Sequence, residues 1–218
     1  MFDNDTFSRC GAFHTMSANA FNLAIGFFLL WGFGLNWLMV ELIPSGPIRA
    51  INSLIFLLGY FACCFSGCVL ISKSKNPTIS FIGYNLIVVP IGLVLVCALP
   101  AFAHEHIMAA VRITTLLTVG MMVMGTLAPQ FIQKIEGALF WALIISIVVQ
   151  LVQMLILGIH LGVMDWIVAA IFCGYIGVDW GRANRIERTP DNAVDSAASL
   201  YLDIINLFMR VLEIISRR

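Results

Sequence analysis

The chain has 218 residues, 61% of them hydrophobic and only 11% charged, where a soluble domain carries about 25% charge. Its formal net charge is zero, and without a basic excess nucleic acid is not an expected partner. The balance excludes a soluble enzyme and points to an all-α polytopic membrane protein, in which every intramembrane charge needs a reason.

The chain opens on a polar head, residues 1–16, holding Asp3, Asp5, Arg9 and Cys10. The apolar stretch that follows is too long for a cleaved signal peptide and no cleavage site follows it, so it is expected to be retained. A span takes about 20 mostly apolar residues. On that measure residues 17–218 form a single seven-span domain. The spans are predicted at 17–42, 51–72, 79–103, 107–128, 137–159, 162–182 and 194–214. Pro44, Pro47, Pro77, Pro129 and Pro190 mark the breaks, while Pro90 and Pro100 fall in or at the end of the third span, where a proline can kink the helix. No internal repeat is visible, which argues against an inverted-repeat transporter. The loops are too short to hold an extramembrane domain.

Lys and Arg set the orientation. With seven spans, the head and the second, fourth and sixth loops share a side that holds Arg9, Lys73, Lys75, Lys134, Arg182, Arg185 and Arg188. The other side holds Arg49, Arg217 and Arg218. The excess places the N-terminus in the cytoplasm.

Most of the remaining polar residues have structural readings. Arg112, inside the fourth span, can reach the surface with its long side chain. Asp165 sits where the sixth helix starts and is expected to cap it at the positive end of its dipole. Arg210 and Glu213, three apart, are expected to pair. His104-Glu105-His106 reads as an exterior loop, because three adjacent residues on a helix cannot all face one ion. Cys64 and Cys68 share a helix face, but buried cysteine usually acts as a small apolar residue.

Asp179 and Asp203 are the exception. The connector between the last two spans has its turn chemistry at Thr189-Pro190-Asp191. With residue 191 as the midpoint of a helical hairpin, each aspartate lies twelve residues away. Both are then about 18 Å from the turn, at one depth. The last helix also carries Ser196, Ser199, Asp203, Asn206, Arg210 and Glu213 at three- and four-residue steps, a polar stripe on one face. Such a stripe faces other helices or water, which places the last helix at the centre of the bundle. Two facing carboxylates can share a proton and titrate as a unit. When ionised they suit a divalent cation such as calcium.

The segment LYLDIINLF, Leu200 to Phe208, resembles the C-terminal signature of the transmembrane Bax inhibitor motif family. GYIGVDWGRANRI resembles that family's preceding signature, which ends in an aspartate. Asp179 and Asp203 are spaced like the aspartates of its bacterial calcium-leak members. The firm resemblance covers roughly the last fifth of the chain. It implies seven helices with the last surrounded by the other six. It also implies a pH-sensitive calcium leak across a bacterial plasma membrane, with Asp179 and Asp203 as sensor and calcium-binding residues. In relatives an arginine near the end of the second span latches onto the pair. The matching segment here is SKSKNP, so Lys73 or Lys75 would serve, without the bidentate fork of arginine. Arg182, one turn after Asp179, is the rival latch. The expected partners are membrane lipid, calcium and protons, with no tightly bound cofactor. Some family members act on membrane proteases or other membrane partners, which supplies an alternative role as a non-conducting regulator. An intramembrane aspartyl protease would need a Gly-Asp dipeptide; Asp179 follows Val178 and Asp203 follows Leu202, so no enzyme is expected.

Overall fold

The computed structural model describes residues 15–158 and 162–217, and every regular element among them is helical. Residues 1–14 of the polar head, with Asp3, Asp5, Arg9 and Cys10, lie outside the described residues, as does Arg218. The elements are α1 (Ala18–Leu42), the short α2 (Ser45–Arg49), α3 (Ser53–Lys73), α4 (Pro77–Ala98) and a 3-10 turn Leu99–Ala101. They continue with α5 (His104–Leu127), α6 (Pro129–Val152), a π turn Gln153–Leu157, α7 (Val163–Ala183) and α8 (Pro190–Ser216).

Local chemistry sets most boundaries. Ser17 caps α1 by accepting from the Ala20 amide at 3.3 Å. Asn52 caps α3, accepting from Leu54 at 2.9 Å. Asn76 caps α4, and Thr189 caps α8 through the Asn192 amide at 3.1 Å. Pro77, Pro129 and Pro190 do not lie in the loops; each opens a helix, where its missing N–H costs nothing. The predicted helices therefore start late. Residues 129–136, expected as loop, form the first two turns of α6, and His104-Glu105-His106 forms the first turn of α5.

Among the described residues six helices are long and apolar enough to cross a membrane: α1, α3, α4 with its 3-10 extension, α5, α6 and α7. Helix α8 is the longest, at 27 residues, and it carries the charge. It is also the core. Leu200, Tyr201, Leu207 and Leu212 are fully buried, and α8 packs against α1, α4, α5 and α7. The expected central position of the last helix holds. It is surrounded by four helices, however, not six: α3 stacks mainly on α4, and α6 mainly on α7. Four neighbours cover most of its surface, and α3 and α6 stand on the outside.

Two fixtures hold α8 in register. Tyr201 meets Tyr84 of α4 edge-on, with ring centroids 5.6 Å apart, and its hydroxyl accepts a hydrogen bond from Asn36 Nδ2 of α1 at 2.6 Å. The Tyr84 hydroxyl donates to the Phe28 carbonyl at 2.9 Å. On the opposite flank α5 and α7 approach backbone to backbone: a Cβ at Gly125 would stand 2.5 Å from the Gly177 carbonyl oxygen. Only glycine allows that approach, and it sets the position of α7 against α8.

Candidate functional site

The hairpin of α7 and α8 brings Asp179 and Asp203 together. Their carboxyls are within hydrogen-bonding reach of each other, and the Ser199 hydroxyl, one turn before Asp203, reaches Asp179. Asp203 is 7% exposed, and its buried Oδ2 has no hydrogen-bond partner among the described residues. Asp179 is 12% exposed at the side chain.

The pair meets, but not through the symmetric hairpin that the spacing suggested. The connector is 184–189, and Thr189-Pro190 starts α8 instead of turning the chain. Asp179 lies one turn before the end of α7, whereas Asp203 lies more than three turns into α8. The start of α8 therefore overruns the end of α7 by roughly 13 Å at 1.5 Å per residue. That overhang docks on α4, where the Ser80 hydroxyl donates to Asp191 at 2.7 Å.

Of the three candidate latches, Arg182 is the one beside the pair. Its Nη1 stands 3.5 Å from Asp179 Oδ1, and its Nη2 forms an ion pair with Glu136 of α6. Arg182 is thus divided between two carboxylates and half exposed. Lys73 and Lys75 are exposed at and just beyond the end of α3 and form no ion pair with the aspartates among the described residues. Glu136 was not singled out from the sequence because it was assigned to a loop; beginning α6 at Pro129 would have placed it on a helix. Tyr175, one turn before Asp179, lies close enough to feel both aspartates and Glu136.

The rest of the polar stripe divides. Ser196 is buried, while Ser199, Arg210 and Glu213 are half-buried. Asn206 is exposed and donates to the Leu202 carbonyl of its own helix at 2.7 Å. It faces a small gap toward Tyr60 of α3 and Ile91 of α4, so the stripe is not sealed along its whole length.

Arg210 pairs with Glu213 at 3.1 Å, as expected. It also reaches Asp165 at 3.0 Å and Gln150 of α6 at 3.0 Å. Asp165 is a correction. It lies in the first turn of α7, but Gly162 occupies the cap position. The carboxylate is fully buried and ion-paired to Arg210 and, at 2.6 Å, to Arg217. Those two guanidiniums come from the far end of α8, which explains why local sequence pointed to capping. Arg112 is exposed on α5, in keeping with a side chain that reaches the surface. Among the described residues no group of three or more His, Cys, Asp or Glu is placed to hold a metal.

A helical bundle with six apolar helices long enough to span, built around a polar helix with buried charges, defines an integral membrane protein. The sequence matches the family described as "Inhibitor of apoptosis-promoting Bax1" over residues 11–218, and the chain belongs to that family. This bears out the resemblance read from the two C-terminal segments. Among curated proteins, "Protein LIFEGUARD 4" of Arabidopsis thaliana is 44% identical over 79 residues, covering 35% of this chain and 31% of the relative. "Protein LIFEGUARD 3" of the same plant is 44% identical over 80 residues, covering 35% and 32%. A "BI1-like protein", also from Arabidopsis thaliana, is 41% identical over 80 residues, covering 35% and 30%. The matched stretch spans about a third of the length of each relative. All three are plant proteins, and they lend the expected bacterial membrane no support.

Proposed function

We propose that the protein is a pH-sensitive cation leak, with calcium as the ion, in which Asp179 and Asp203 form the sensor. On this reading α8 is the seventh span, the N-terminus lies in the cytoplasm and the chain carries out no catalytic step. One observation carries the reading: two carboxyls from different helices stand within hydrogen-bonding reach of each other in the interior of the bundle. That contact needs a proton between them. Losing the proton leaves two negative charges in a poorly solvated place, which repel each other and attract a divalent cation. Repulsion pushes α7 from α8, and the cation drawn in is held by few protein oxygens. Weak binding of that kind suits conduction, where an ion must also leave. Arg182 modulates the pair by sharing itself between Asp179 and Glu136.

The test is calcium flux into dye-loaded liposomes holding the purified protein, scanned from mildly acidic to mildly alkaline pH. The parent should show a flux that changes with pH, and Asp179→Asn or Asp203→Asn should flatten it. Absence of flux at every pH in folded parent protein would defeat the reading. It would then favour a non-conducting regulator that binds a membrane partner, a role suggested by the family description, which names inhibition of another protein.

A further inference from the structure

Helices α1 and α5 both pack on α8 but leave a cavity of about 700 Å³ between them. It lies on the opposite side of the bundle end from the 184–189 connector, where α1 ends and α5 begins. Its walls are mostly apolar, with Phe33 and Trp37 from α1, Leu95 from α4, Val111 from α5, and Ile204 and Phe208 from α8, and carry Asn36, Thr114 and Thr115 as polar side chains. Trp37 is 66% exposed, so the cavity opens sideways toward lipid. Its rim is polar and holds Glu41 and His104.

The volume selects the occupant. It lies in the range of ligand pockets, about 300–1,000 Å³. A transmembrane helix, about 10 Å across and 30 Å long, is several times larger, so a partner helix does not fit. An extended alkyl chain does.

The rim selects the headgroup. Glu41 stands in the last turn of α1, an end that favours cations and disfavours a carboxylate. It is exposed and forms no ion pair among the described residues. An unpaired acid at the negative end of a spanning helix, on the edge of an apolar slot, is complementary to an ammonium group at headgroup depth. Across the same rim α5 starts at His104 behind Ala103, which offers no side-chain cap to the first amides. Glu105 in the same first turn already faces that helix end, so the donor left for a phosphate at the cavity is the His104 imidazole N–H.

We propose that this cavity is a binding site for a single phospholipid with a primary-amine headgroup. One acyl chain lies over Ile204 and Phe208 of α8, the ammonium sits on Glu41, and the phosphate faces His104. The lipid covers the flank of the central helix that the protein leaves open. The inference does not depend on ion conduction, because its readout is lipid retention.

The experiment is native mass spectrometry of the delipidated full chain, titrated with phosphatidylethanolamine or phosphatidylglycerol bearing the same oleoyl chains. The parent should retain the ethanolamine lipid at about tenfold lower concentration, a difference of about 1.4 kcal/mol. Glu41→Gln should bring the two lipids to parity without changing the thermal unfolding midpoint. Val111→Phe, which narrows the slot, should lower retention of both lipids in protein that still elutes as a folded species. Equal retention of the two lipids by the parent would overturn the proposal, as would an unchanged preference in Glu41→Gln. Displacement of the lipid by soluble phosphoethanolamine would overturn the acyl-chain part, because the headgroup alone would then suffice.

Discussion

Two of the places where helices α7 and α8 bury aspartate are built in opposite ways. At one end Asp165 is completely enclosed, and two guanidiniums, from Arg210 and Arg217, meet its carboxylate. Toward the other end Asp203 faces Asp179, with one shared and half-exposed arginine nearby. The first arrangement is neutralised and ties the end of α8 to the start of α7 and, through Gln150, to α6. The second is acid against acid, with Arg182 3.5 Å from Asp179 as its nearby cation. The same residue type on the same pair of helices is thus clamped by arginine in one place and, on the proposed function, serves as a titratable joint in the other. Burial alone does not separate the two roles; the charge of the facing side chain does.

The largest expected effect breaks the clamp. Asp165→Ala strips the carboxylate from Arg210 and Arg217, and because both guanidiniums are partly exposed the cost is that of lost charge-assisted hydrogen bonds, about 1.5–3 kcal/mol. Thermal unfolding in detergent should show a steep drop in midpoint. Asp203→Asn should lower it little or raise it, since it removes an acid that faces another acid. If the two substitutions destabilised equally, the contrast between clamp and joint would fail.

A smaller effect is expected where α7 is positioned. Gly125→Ala would place a Cβ against the Gly177 carbonyl oxygen, a backbone atom that cannot step aside. The overpacking should cost about 1–3 kcal/mol and alter the pH response by moving α7 relative to α8. An unchanged unfolding midpoint would show that α5 and α7 part without penalty.

The smallest effect concerns Arg182. Glu136→Gln releases it to pair fully with Asp179. A nearby positive charge favours the ionised acid, so the midpoint of the flux response should move to lower pH. The pair is half exposed and screened, which limits the move to about half a pH unit. Arg182→Gln should move the midpoint the other way. A shift in the same direction for both variants would remove Arg182 from the account.

These three regions also show what the sequence could and could not reveal. Uninterrupted apolar runs exposed α1, α3, α4, α5 and α7 to within a few residues. The polar stripe placed α8 at the centre, since such a face has no other refuge in lipid. Asp179 and Asp203 were found by equal spacing from residue 191, although the true connector is 184–189 and the equality is a coincidence of the overhang at the start of α8. The helical start of α6 stayed hidden because Lys134 and Glu136 lowered its apolar signal, and Glu136 was lost with it. Asp165 was misread because its partners stand 45 and 52 residues away on α8. Local rules such as capping see only the first turn of a helix. Long-range ion pairs are decided by which ends the bundle brings together.

The measurement that tests the central claim most directly is the pH dependence of calcium flux for Asp203→Asn beside Asp165→Asn in the same liposomes. The account predicts that Asp203→Asn is folded and has a flat pH profile. It predicts that the folded fraction of Asp165→Asn keeps the parental profile despite lower stability. A parental pH profile in Asp203→Asn would contradict the account, because the joint between α7 and α8 would then not be the sensor.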